Sequence, residues 1–237
     1  MPVKSTLYLI PSPIDGSYNS HQVPLAETER IAHLRVFVVE NLKHARRYLR
    51  KLLPEVAIDD CTFYEMGKHA TPESLSRLWS TMKSGTDAGV ISEAGLPGVA
   101  DPGGSVVSMA HQMGMRVIPL IGPGSIFMAL MASGFNGQQF SFHGYLPREG
   151  ADRSKKIREL ESQAHRTGYT QIFMETPFRN NALLDDILKS CGSSTMLCIA
   201  RAISQADECI NTRSIQDWQK STPNLHKVPV IFLIGKI

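Results

Sequence analysis

Three loops rich in glycine and proline carry the residues whose types and spacing could do chemistry. The first is Pro11-Ser12-Pro13-Ile14-Asp15-Gly16. The second runs Ser92-Glu93-Ala94-Gly95-Leu96-Pro97-Gly98 and on through Val99-Ala100-Asp101-Pro102-Gly103-Gly104. The third, Gly122-Pro123-Gly124-Ser125, leads into a helical pattern with Ile126 next. Glycine without a Cβ lets backbone lie against a ligand, and the free N–H groups at a helix start can donate to it. Any one of these loops alone is also what an ordinary tight turn looks like. Absent motifs narrow the chemistry. No GxxxxGK[ST] is present, which excludes a P-loop nucleotide hydrolase. Gly122-Pro123-Gly124-Ser125-Ile126-Phe127 begins like GxGxxG but lacks the third glycine, so a dinucleotide-binding reading is weak. There is no GxSxG or HExxH, and the eight histidines show no metal-type spacing; no metal is expected.

The elements that must position these loops alternate between strand and helix. Residues 6–10, 36–39, 62–65, 89–92 and 116–120 are apolar, partly β-branched or aromatic, and bounded by breakers, which predicts strands. Between them, residues 42–53 are amphipathic. Thr71-Pro72-Glu73 is a helix start with cap, proline and acid in order, and residues 105–113 end at Gly114. The pattern then restarts, with helices over 125–133, 153–165 and 180–189 and strands over 139–146, 170–175, 195–202 and 228–234. Such alternation implies mostly parallel or mixed sheets flanked by helices, with the loops at the carboxyl ends of strands where ligands bind. The stretch Pro119–Gly124 is the best boundary, giving α/β domains over 1–120 and 121–237, each of normal size.

Composition bounds the rest. A 237-residue chain with 42% hydrophobic residues can build a sizeable core, and a formal charge of +3 by itself selects no partner. Four sparse cysteines without CxxC spacing fit a reduced, cytoplasmic protein. The apolar run near the N-terminus is too short for a signal-peptide core and stops at Pro11. No stretch approaches the roughly 18 apolar residues that span a bilayer, so no membrane partner is expected.

In order along the chain stand LYLIPSPI, VISEAGLPGVADPG, VIPLIGPGSIFMALMASG, FSFHGYLP, FMETPFR and ARAIS. From about Leu7 to Ile234 the chain resembles the tetrapyrrole methylase superfamily, the class III S-adenosylmethionine-dependent methyltransferases. It looks most like the branch that methylates a ribose 2′-hydroxyl of small-subunit ribosomal RNA. The resemblance implies two α/β domains, S-adenosylmethionine in the cleft between them, and a homodimer. It also implies that Pro11 approaches the cofactor, that Glu93 replaces a family aspartate, and that Leu96 replaces a threonine near the cofactor. Gly122, Pro123, Gly124, Ser125 and Ile126 form the third contact loop by the same comparison, and Met174 and Ala202 line the adenosine pocket.

The sequence departs from the family on the substrate side. Glu40-Asn41-Leu42-Lys43 stands for EDTR, Ala200-Arg201-Ala202-Ile203-Ser204-Gln205 for ARELTK, and Lys227-Val228-Pro229 for KGE, while Glu175 and Arg179 keep a glutamate–arginine pair. A ribose hydroxyl must shed its proton, so a base within hydrogen-bond reach is expected. Glu40 and Glu175 are the candidates, with Glu93 assigned to the cofactor's ammonium or ribose. Each glutamate, and Arg201, can equally be a strand-end residue in a structural ion pair, as Glu175 with Arg179.

Lys43, His44, Arg46, Arg47, Arg50 and Lys51 fall in one helix without an acid, with Leu42, Ala45, Leu49 and Leu52 or Leu53 left for the buried face. Such a run is either a solvated face or a contact for RNA phosphates, and Tyr48 either stacks or packs. Arg148, Arg153, Lys155, Lys156 and Arg158 form a second cluster with acids interspersed, a pattern typical of solvated faces. Trp79 and Trp218 sit at helical core positions. Ribosomal RNA is the expected substrate. The alternatives are a small molecule such as a tetrapyrrole, or a cofactor-binding protein that has lost catalysis with the family residues missing at Asn41, Ala202 and Pro229.

Overall fold

The computed structural model describes residues 5–17 and 22–237. The chain splits into two compact units, residues 1–124 and 125–237. Residues 1–4, which precede the N-terminal apolar run, lie outside the described residues.

The first unit is a five-stranded parallel sheet of β1 (Thr6–Ile10), β2 (Val36–Val39), β3 (Thr62–Glu65), β4 (Ala88–Ile91) and β5 (Arg116–Pro119), in the order β3-β2-β4-β1-β5. β2 and β4 are buried along their whole length, as continuous apolar strands inside a parallel sheet must be. Ile10, Phe37, Val39 and Ile91 face a core covered by α1 (Leu25–Ile31) and α2 (Leu42–Leu52). Leu7, Val36, Val38, Ala88 and Val90 face the opposite core, under α3 (Pro72–Lys83) and α4 (Gly103–Gln112). Asn41 caps α2 by accepting from the His44 N–H at 3.1 Å, and Thr71 caps α3 through the Ser74 N–H. The residue that departs from the family at position 41 is therefore a helix cap. On α2 the buried face is Ala45, Tyr48, Leu49 and Leu52, whereas Leu42 stays exposed.

The helices that follow the neighbouring strands β1 and β4 lie on opposite faces of the sheet. The strand order reverses there, the kind of position where open α/β sheets bind ligands beyond the carboxyl ends of their strands.

The second unit starts with α5 (Ser125–Ser133). Its sheet contains β6 (Phe140–Tyr145), β7 (Thr170–Met174), β8 (Met196–Arg201), β9 (Cys209–Ser214) and β10 (Val230–Gly235), in the order β6-β7-β10-β8-β9. Only β6 and β7 pair in parallel; β10 inserts antiparallel between β7 and β8, and β9 pairs antiparallel with β8. The sheet is mixed because β8 returns to β9 by a short turn and β10 enters from the far side. On one face, α6 (Gly150–Thr167), α7 (Asn180–Ser190) and α8 (Ile215–Lys220) close a core around Phe173, Phe232 and Trp218. Trp79 and Trp218 are both buried. No helix among the described residues is long and apolar enough to cross a membrane.

Candidate functional site

In the first unit every strand ends on one edge, and the loops there are tied together. The first two loops form an isolated antiparallel bridge: the Ser12 N–H donates to the Gly95 carbonyl at 2.8 Å, and the Gly95 N–H to the Ser12 carbonyl at 2.9 Å. The buried Ser12 hydroxyl donates to the Ser92 carbonyl at 2.8 Å. Asp101 shapes the second loop, its Oδ1 accepting the N–H groups of Gly98 and Gly103, each at 2.7 Å. Burial raises the Asp101 carboxyl above its ordinary value against these hydrogen bonds. Gly122 meets Pro11 so closely that a Cβ there would lie 2.3 Å from the Pro11 Cβ. The Pro11 carbonyl is taken by the Tyr48 hydroxyl at 2.7 Å. Pro11 is therefore a buried strut between the first and third loops, and Tyr48 packs rather than stacks on a base.

Two further carboxylates stand on this edge. Glu40 follows β2 and accepts from the Glu93 backbone N–H. Its carboxyl is raised above the ordinary value, first by burial, then by the nearby carboxylates of Glu93 and Asp101, with Lys68 and the Glu93 N–H opposing. Glu93 is exposed and lies 3.4 Å from His44 Nδ1. Leu96 is half-buried in the same loop. The sequence reading thus finds Glu40, Glu93, Leu96 and the glycine loop gathered at one edge. The roles of Tyr48 and Ser12 rest on contacts far apart in the chain and carry no local signal, whereas Asp101 acts within its own loop.

In the second unit β7 and β8 run in the same direction on either side of β10, so both end where β10 begins. Half-buried Met174 and buried Ala202 sit at those two ends, and the Ala202 N–H donates to the Pro229 carbonyl at 2.9 Å. Ala202 adopts φ +52°, a left-handed conformation that costs a non-glycine residue on the order of 1 kcal/mol. Phe135, just beyond α5, packs on Gly235 at the far end of β10. α5 therefore runs away from the edge where β10 begins, and its first residues, Ser125 and buried Ile126, lie on that side. Glu175 is buried at the end of β7, its Oε1 accepting from Arg179 Nη2 and from the Thr176 N–H, both at 2.6 Å, while Oε2 is buried without a hydrogen-bond partner. This pairing fits a positioning carboxylate better than a base open to substrate. Arg201 is held by Asp207 at 2.7 Å.

Several cations of the basic helix are already engaged. Arg46 and Arg50 both pair with Asp59, and the Arg46 guanidinium lies 5.5 Å from the Phe63 ring centre. Lys51 reaches the Ser17 carbonyl at 3.3 Å. The sequence hides this pairing because Asp59 lies outside the helix. In the second cluster Arg153 is buried against Asp186, and Lys156 pairs with Glu159. Among the described residues no cluster of histidine, cysteine and carboxylate side chains could hold a metal.

No family model matches the chain. It is 29% identical over 231 residues to ribosomal RNA small subunit methyltransferase I of Vibrio cholerae, covering 96% of this chain and 76% of that protein. Two solved structures share its fold at 16% identity. The methyltransferase CobJ does so with a TM-score of 0.63 over 98% of this chain and 93% of its own. A uroporphyrin-III-C-methyltransferase from Thermus thermophilus does so with a TM-score of 0.54, over 98% and 94%.

Proposed function

We propose that the chain, which resembles the tetrapyrrole methylase superfamily, is an S-adenosylmethionine-dependent methyltransferase acting on ribosomal RNA of the small subunit, at a ribose 2′-hydroxyl. The observation that carries this reading is the similarity, over 96% of this chain and 76% of the other, to a protein named as a ribosomal RNA small subunit methyltransferase. The loop edges fit such a cofactor. A cofactor of this kind needs a carboxylate for its ammonium or ribose hydroxyls, and Glu93 stands exposed on the first unit's edge. It also needs apolar cover for its base, for which half-buried Leu96 is the candidate in the first unit and Met174 with the backbone at Ala202 the candidate in the second. Gly122, Pro123, Gly124, Ser125 and Ile126 offer close backbone and helix-start N–H groups. Pro11 holds that loop in place.

When bound, the cofactor supplies a methyl group already activated on sulfur. The chain's task is then to orient the nucleophile, exclude water and take a proton. Glu40 is assigned as the acceptor of the ribose hydroxyl proton, since its raised carboxyl is closer to the range in which a base works at neutral pH. Glu175 and Arg179 are assigned to hold the edge of the second unit in shape. Lys43, Arg47 and Lys51 are assigned to RNA phosphates, with Arg46 and Arg50 sharing Asp59. A cytoplasmic location, where a ribosomal RNA substrate is met, is part of the proposal. A homodimer completes the proposal, and light scattering should then give about twice the 26.2 kDa chain mass. Transfer of a labelled methyl group to unmodified small ribosomal subunits tests the proposed activity.

A further inference from the structure

Phe178 stands 70% exposed in the turn between β7 and α7, immediately beyond buried Glu175. An aromatic ring this open usually sits on mobile chain, but this turn is fixed. The Arg179 N–H donates to the Thr176 carbonyl at 2.8 Å, the Lys227 N–H to the Pro177 carbonyl at 3.0 Å, and Asn180 Nδ2 to the Val228 carbonyl at 2.6 Å. Lys227 takes φ +62°, a left-handed conformation unusual for lysine, and its ammonium lies 5.8 Å from the Phe178 ring centre. The His226 ring meets Phe178 edge-on at 6.0 Å. Neither Lys227 nor His226 has a carboxylate partner among the described residues. A rigid, exposed aromatic face bordered by a cation without a carboxylate partner matches an unstacked nucleobase and the phosphate that follows it.

We propose that Phe178 is the stacking platform for a base of the RNA substrate at or beside the methylated nucleotide, with Lys227 on the adjoining phosphate. Sequence-specific enzymes acting on RNA take their target from unstacked segments, where a base is free to lie on an aromatic ring. The inference rests on the ribosomal RNA reading above and specifies which side chain holds the substrate.

The test compares wild type, Phe178→Leu and Phe178→Tyr in labelled methyl transfer to unmodified small ribosomal subunits, with calorimetric titration of S-adenosylmethionine alongside. Base stacking on an aromatic side chain accounts for about a 5- to 150-fold change in affinity. The expected result is an RNA KM raised by about tenfold or more in Phe178→Leu and largely restored in Phe178→Tyr, with cofactor affinity unchanged in both. An RNA KM within about twofold of wild type in Phe178→Leu overturns the inference while leaving the methyltransferase reading intact. A parallel loss of cofactor affinity also overturns it, since the ring would then serve the cofactor's own base. Absence of transfer by the wild type to any ribosomal RNA removes the reading and the inference together, and shows in the unmutated protein alone.

Discussion

Tyr48 on α2 donates its hydroxyl to the carbonyl of Pro11 at 2.7 Å, joining the basic helix to the first ligand loop through a buried bond. Burial raises the Tyr48 hydroxyl above its ordinary pKa, so it remains a donor at any working pH. Tyr48→Phe leaves the Pro11 carbonyl without its partner, and a buried acceptor left unpaired costs about 1–3 kcal/mol. Denaturant unfolding should show a loss in that range, and calorimetry a weaker S-adenosylmethionine affinity. Unchanged values in both would show that the bond neither stabilises the unit nor orders the loop.

Gly122→Ala places a methyl group against the Pro11 ring, where 2.3 Å separates the atoms. One of the two loops must move. Cofactor affinity should fall at least tenfold while circular dichroism stays native, because the clash is confined to the loops. Undiminished affinity would separate the third loop from cofactor binding.

Glu40 carries the pH prediction. Its folded carboxyl holds a proton to higher pH than an ordinary glutamate, so activity should fall on the acid side at a pH above that of an ordinary glutamate. Glu40→Gln should abolish most transfer and leave no such limb in any residual rate. The stability sign is opposite to that of a salt-bridged acid. Between the unfolded and the raised folded pKa the folded state binds more protons, so stability falls as pH rises through that window. The variant should lose this part of the fall and be no less stable than wild type at neutral pH. A variant less stable than wild type at neutral pH, or a wild-type acid limb no higher than that of an ordinary glutamate, contradicts the assignment.

Strand and helix placement was largely legible in the sequence, because the buried strands β2 and β4 are continuous apolar runs and the caps at Asn41 and Thr71 act locally. Three elements escaped. In α1 only Glu27 and Ile31 are buried, too few for a helical period. β9 is a half-exposed edge strand with polar alternation, and α8 has six residues and relies on the Ser214 cap to the Asp217 N–H. In the site, the loops and Glu93 were legible from residue type. The Ser12–Gly95 bridge, the Tyr48 bond and the pairing of Arg46 and Arg50 with Asp59 were not, since each joins residues that no local pattern relates.

That last pairing alters how the basic helix should behave toward RNA. Asp59→Asn removes the one carboxylate shared by Arg46 and Arg50 and should steepen the salt dependence of RNA binding by about 0.7–0.9 in slope. Replacing Lys43, Arg47 and Lys51 with Gln should flatten it. Folding stability should change little, because exposed ion pairs contribute about 0–1 kcal/mol. Filter-binding titrations across a salt series read both. Equal slopes for wild type and both variants would mean that the helix is only solvated.

The central claim is tested most directly by incubating the protein with labelled S-adenosylmethionine and small ribosomal subunits that lack the modification, then digesting the RNA and identifying the labelled nucleoside. The account predicts label on the small-subunit RNA, in a ribose-methylated nucleoside, and far less with Glu40→Gln. Label on a base or on a small metabolite, or none despite bound cofactor, would contradict it.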